Sequence, residues 1–183
     1  MILARWRARR ANRFLIDQIH GEIVAAARAP DLFQDFAVPD NLDGRFEMVI
    51  LHAGLVLRRL RELGASGEAI AQDLFDCVFE GFGDALREMA ISDVGVVKRI
   101  KAMSGAFHGR NKVYDEALAT GDRDALAAAL ARNVYREAQH PAPLRGLALA
   151  GRVIGLAAAL EAIPIEAFAQ GRFSFPYRSG GAP

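Results

Sequence analysis

Between Phe46 and Leu63 the chain carries Phe46, Val49, Ile50, Leu51, Ala53, Leu55, Val56, Leu57, Leu60 and Leu63. At about 100° per residue these positions wrap most of a helical cylinder instead of one stripe. A helix that is apolar nearly all round has to be surrounded, so this one belongs at the centre of a bundle. The rest of the chain can supply the surrounding helices. Its apolar residues recur with a helical period, and no convincing run of strand-type alternation is present. The expected fold class is all-α: one bundle of about six helices with short turns, spanning 1–173. A mobile tail is expected from Ser174 to Pro183, around Gly180-Gly181. With 183 residues, 52% hydrophobic and 25% charged, the chain has material for one core and a wet surface.

Punctuation residues divide the pattern. A first helix over about 4–28 ends near Pro30, and Pro30 and Pro39 leave room for a short turn around Asp31–Phe36. Asp43 is expected to cap the central helix, which stops at Gly64. Ser66 is expected to cap a helix over about 67–90. Its apolar face is Phe75, Val78, Phe79, Phe82, Leu86 and Met89. Ser92 or Asp93 caps the next helix, to about Thr120, with Val97, Ile100, Met103, Phe107, Tyr114 and Leu118 as its stripe. Gly121-Asp122 opens a helix to about residue 138. Pro143 suits the first turn of one over about 143–162, and Pro164 opens a last short turn.

Much chemistry is missing. The single cysteine, Cys77, cannot make an internal disulfide, and four widely spaced histidines with one cysteine do not form a structural zinc set. No Gly-rich phosphate loop, His-Glu-x-x-His or Gly-x-Ser-x-Gly is present. Ser104 and His108 are helix neighbours without an orienting group or an oxyanion site. His20, His52, His108 and His140 fall on four separate segments. His52, inside the apolar helix, reads as a buried imidazole bonded to a carbonyl or carboxylate. No catalytic residue, metal ligand or cofactor is assigned. The apolar stretch Gly146–Leu160 is interrupted by Arg152 and is too short to span a membrane.

Charge is the more informative signal, through its distribution rather than its net value of +1. Residues 1–13 carry Arg5, Arg7, Arg9, Arg10 and Arg13 with no acid. With Trp6 among them, this segment suits an anionic membrane surface. Its composition also resembles a transit peptide, but the helical pattern continues into Phe14-Leu15-Ile16 with no processing point. Residues 96–112 carry Lys98, Arg99, Lys101, Arg110 and Lys112 with no acid, which suits docking to an acidic protein or to RNA. No base-stacking aromatics are interleaved there, which disfavours sequence-specific RNA. Residues 67–84 carry Glu68, Asp73, Asp76, Glu80 and Asp84 with no base. This acidic face is expected to be solvated or to meet the basic face of the following helix in surface ion pairs.

Several stretches, in order, resemble the ubiquinol–cytochrome c chaperone family, in the pattern of its bacterial members. They are Ala27-Arg28-Ala29-Pro30, Val38-Pro39-Asp40, Asp43-Gly44-Arg45-Phe46-Glu47-Met48 and Leu51-His52. Then follow Leu57-Arg58-Arg59-Leu60, Leu86-Arg87-Glu88-Met89, Ser92-Asp93-Val94-Gly95-Val96, Lys98-Arg99-Ile100-Lys101, Phe107-His108-Gly109-Arg110 and Tyr114. The sequence departs from the pattern at Gln34, where an aromatic is common, and at His108, where tyrosine is. The resemblance implies a non-enzymatic, helical assembly factor for the ubiquinol–cytochrome c reductase complex, respiratory complex III. It implies a protein client, newly made cytochrome b or the ribosome that delivers it. It implies a place in the cytoplasm, peripheral on the inner face of the cytoplasmic membrane, or in the matrix of a mitochondrion. Shared function is expected in Asp43–His52 and Arg87–Arg110, which brings Arg45, His52 and Asp93 beside the basic set as partner-binding candidates. Two rivals remain at this point: a small-molecule or heme-binding domain built around His52, and an enzyme using the acidic face of 67–84.

Overall fold

A computed structural model describes residues 2–137 and 144–176, with side chains from Asn12 onward. Among the described residues the secondary structure is helical throughout. Six long helices and two single turns follow in chain order: α1 (Ile2–Ala27), α2 (Pro30–Gln34), α3 (Leu42–Glu62), α4 (Ala65–Glu88), α5 (Asp93–Thr120), α6 (Arg123–Val134), α7 (Leu144–Glu161) and α8 (Ile165–Ala169). The all-α bundle implied by the periodicity is the fold observed, with the two single turns at the prolines that announced them.

As the residues between Phe46 and Leu63 require, α3 is the hub. It packs against α1, α4, α5, α6 and α7, and its residues from Glu47 to Leu57 are buried without interruption. Two glycines make its neighbours' close approach feasible. A Cβ on Gly54 would lie 1.7 Å from Asn111 Oδ1 of α5, and one on Gly67 would lie 1.9 Å from the Leu60 carbonyl oxygen. The α3–α4 turn is tight for the second reason, and Gly64 enters it at a φ of 75°, a conformation that disfavours any side chain. Asn111 is buried beside Gly54 and its Nδ2 donates to the Phe107 carbonyl at 3.0 Å.

Caps follow the expected chemistry, not always the expected residue. Asn41, not Asp43, accepts from the Gly44 amide at the start of α3. Ser66 lies inside the first turn of α4, which Gly64 precedes with no side-chain cap. Ser92 caps α5 through the Gly95 amide, and Asp122 caps α6 through that of Ala125. On α5 the buried stripe starts at Val96 and not at Val97, because Val96, Phe107, Asn111 and Tyr114 keep one side toward the core while Val97 lies about 100° away.

The C-terminal segment of the described chain packs against the last turns of α1 and the core. Phe168 and Phe173 stack at 4.7 Å, Phe175 packs beside them, and Phe175 reaches the His52 ring at 5.3 Å. Glu22 of α1 fastens this segment: its carboxylate accepts from the Phe175 amide at 2.8 Å and from the Ser174 hydroxyl at 3.1 Å. Of the residues expected in a mobile tail, Phe175 is therefore buried and Ser174, though exposed, is hydrogen-bonded to Glu22. Tyr177–Pro183 lie outside the described residues, as do His140, Pro141 and Pro143. Among the described residues no helix is long and apolar enough to cross a membrane.

Candidate protein-binding surface

The five cations read from 96–112 divide over two flanks of α5. At about 100° per residue, Lys98, Lys101 and Lys112 share one flank, while Arg99 and Arg110 share the other. Lys98, Arg99 and Lys101 are exposed and make no ion pair with any described residue. Lys112 reaches Glu116 of its own helix at 3.9 Å, an exposed contact of small worth. Arg110 turns inward instead. Its Nη1 lies 2.9 Å from Glu47 Oε1 of α3, and Glu47 is only 6% exposed. Burial raises the Glu47 carboxyl to about 7, against the pull of Arg110 and Arg136 and with the push of Asp43. Arg110 is therefore a structural partner of a buried acid, which corrects its placement among the surface docking residues.

Arg99 lines a groove of about 300 Å³ between α3 and this arginine flank of α5, with Leu42, Phe46, Ile50, Met103 and Arg136. On the lysine flank a larger cleft, about 770 Å³, separates α5 from α4. Phe79, Gly83, Val96 and Ile100 form its apolar floor; Asp76, Glu80, Asp84 and Arg87, the last paired with Asp84, stand on the α4 side and Val97, Lys101 and Ser104 on the α5 side. The expected ion pairing between the acidic and basic faces does not occur. Asp84 pairs with Arg87 of α4 at 2.9 Å, Glu80 with Arg13 of α1 at 3.8 Å, and Asp76 accepts from Gln72. The acids face α1 and the open cleft, so the lysines remain in solvent.

The remaining candidates are dispersed. Arg45 pairs with Asp40 at 2.7 Å and lies over the Phe33 ring. Asp93, in the first turn of α5, reaches Arg87 at 3.7 Å. His52 is 3% exposed, so a surface partner does not reach it; this corrects its place in the binding set. Its Nδ1–H donates to the Met48 carbonyl at 2.7 Å, and burial lowers the imidazole to about 4, so it is neutral at physiological pH. That is the buried histidine the sequence suggested. His108 stacks on Phe75 at 5.4 Å. Among the described residues no group of three or more His, Cys, Asp or Glu is placed to hold a metal ion. Arg13 is exposed; the side chains of Arg5, Trp6, Arg7, Arg9 and Arg10 lie outside the described residues.

Sequence reasoning missed Glu47 as a partner of Arg110. The signal was a lone acid among the apolar residues of a helix expected to be surrounded, which calls for a buried cation. It missed also the exposed apolar residues Met89, Val94 and Val97 at the turn joining α4 and α5. Val97, which the helical period assigns to the core stripe, is in water.

The structure thus presents exposed cations on an all-helical scaffold. The chain belongs to the ubiquinol–cytochrome C chaperone family, whose sequence profile matches residues 34–175. It is 28% identical over 107 residues to ubiquinol-cytochrome-c reductase complex assembly factor 1 of Xenopus laevis, covering 58% of this chain and 53% of that one. The chain thus spans about half the length of this curated relative. Its fold matches the crystal structure of the Cbp3 homolog from Brucella abortus with a TM-score of 0.82, at 37% identity, over 96% of both chains.

Proposed function

We propose that this protein is a non-enzymatic assembly factor for the ubiquinol–cytochrome c reductase complex. It docks newly made cytochrome b, or the ribosome delivering it, on the lysine flank of α5. The observation that carries the reading is that Lys98 and Lys101 are exposed and unpaired among the described residues, although an acidic helix lies next to theirs. Uncompensated surface cations stabilise nothing in the fold and attract an anionic partner. Family membership supports the reductase complex as the target, since the Xenopus relative is named an assembly factor of this complex. The arginine-rich start of α1 would rest on anionic lipid at the inner membrane face, bringing the docking surface to the site of insertion.

The test is a strain lacking the gene, complemented with the triple variant Lys98→Glu, Lys101→Glu, Lys112→Glu. All three side chains are exposed, so the bundle should melt as the parent does. Assembled reductase and cytochrome b should fall severalfold, toward the level of the deletion. Undiminished cytochrome b with a folded variant would end the docking claim.

A further inference from the structure

We propose that the cleft between α4 and α5 seats one amphipathic helix of a protein partner. That helix sets its basic edge against Asp76, Glu80 and Asp84 and its acidic edge against Lys101. The inference rests on the reading that α5 is a docking surface, and it specifies what docks.

Three features converge on this occupant. The first is shape: a trough of about 770 Å³ between two consecutive helices, floored by Phe79, Gly83, Val96 and Ile100, accepts the ridge of a third helix. The second is apolar surface left in water. Val97, lining the cleft, is 68% exposed, and at the adjoining turn Val94 is 82% exposed. The third is charge of opposite sign on the two walls: among the described residues no ion pair joins Asp76, Glu80 or Asp84 to Lys101, and the pair that does join the two helices, Arg87 to Asp93 at 3.7 Å, leaves Lys101 outside it. Nucleic acid and anionic lipid would be attracted by the lysine wall and repelled by the acidic one. A helix with an apolar stripe, a basic edge and an acidic edge satisfies floor and both walls together. Because turning such a helix end for end exchanges its edges, the cleft fixes composition and not direction.

The probe is a synthetic, labelled helical peptide of about five turns, with leucine at i, i+3, i+4 and i+7, lysine along one edge and glutamate along the other. Two comparison peptides keep the leucines and carry lysine on both edges or glutamate on both. Anisotropy titration of the full chain should show the mixed peptide binding in the micromolar range, about tenfold tighter than either comparison. Val97→Glu should weaken the mixed peptide about tenfold, with the helical circular dichroism and melting temperature unchanged, since the side chain is exposed. Lys101→Glu should weaken the mixed peptide and tighten the all-lysine one. Equal or tighter binding of the all-lysine peptide would overturn the proposal, leaving only an acidic surface. So would binding insensitive to Val97→Glu, or stronger capture by anionic phosphatidylglycerol vesicles at the same residues. A strain carrying Val97→Glu that assembles the reductase normally, while the triple lysine variant does not, removes the cleft and leaves the docking surface of α5 standing.

Discussion

Replacing Gly54 with alanine tests whether α3 and α5 are held at the distance described. The new Cβ would lie 1.7 Å from Asn111 Oδ1 and 2.7 Å from its Cγ, far inside any contact real Cβ atoms make. Either the helices separate or the Asn111 amide leaves, abandoning its bond to the Phe107 carbonyl at 3.0 Å. Overpacking of this kind costs about 1–3 kcal/mol, and a buried amide left without its partner about as much again. Against this, alanine favours helix over glycine by up to about 1 kcal/mol. The net expectation is a loss of about 2 kcal/mol, or roughly 4–8 °C in melting temperature for a chain of this size. Thermal unfolding followed by circular dichroism reads it. Gly109→Ala supplies the contrast: it lies on α5, exposed, with nothing within 4 Å of a new Cβ, so the helix-propensity gain should appear unopposed and the melting temperature rise. In an Asn111→Ala background the cost of Gly54→Ala should shrink by at least about 1 kcal/mol, the coupling expected of side chains in contact. If Gly54→Ala melts as high as Gly109→Ala, the tight α3–α5 crossing is wrong.

Glu47→Gln should change how stability responds to pH. The folded Glu47 carboxyl titrates near 7 and an unfolded one near 4.5, so between those values the folded chain keeps a proton the unfolded chain has lost. Stability therefore falls as pH rises through that window, by up to about 3 kcal/mol, and levels off above it. His52 acts oppositely: its folded value near 4 against an ordinary 6.5 means that stability is lost as pH falls from 6.5 toward 4. Urea unfolding at a series of pH values should show the parent with these slopes opposed between 4.5 and 6.5, and Glu47→Gln with a net rise in stability relative to it from 4.5 to 7. Parallel curves for parent and variant would show that Glu47 is not held in the buried pair. Glu22→Ala removes the acceptor for the Phe175 amide and the Ser174 hydroxyl; hydrogen exchange at Phe175 should accelerate at least about tenfold while α5 amides exchange as before, and unchanged protection at Phe175 would deny the fastening role.

Most of the scaffold was legible because it is written in local terms. Prolines 30 and 164 mark the single turns, Ser92 caps α5 three residues before the amide it accepts from, and the encircled apolar helix of 46–63 could only be central. Local terms also explain the errors. Asn41 and Asp43 are both competent caps two residues apart, and the chain's entry from Pro39, whose carbonyl lies where a Gly44 Cβ would go, selects Asn41. Val96 and Val97 are chemically alike, and only the packing of Phe107 and Tyr114 chooses which faces inward. The basic surface of α5 was legible as a count of charges but not as a geometry. Lys98 and Lys101 stay in water as the unbalanced run implied, whereas Arg110 is withdrawn by Glu47, which lies sixty-three positions earlier and is brought near only by the α3–α5 crossing.

The bond from Glu22 to residues 174 and 175 has a consequence in time. Those residues leave the ribosome long after α1 does, and until they arrive His52 lacks the Phe175 ring and the stacked pair of Phe168 and Phe173 lacks its cover. A truncated or still-growing chain therefore displays an incomplete core, however well its first helices have formed. Under the proposed role, a molecule meant to meet another chain during its synthesis is ready to do so only after its own synthesis has passed Phe175.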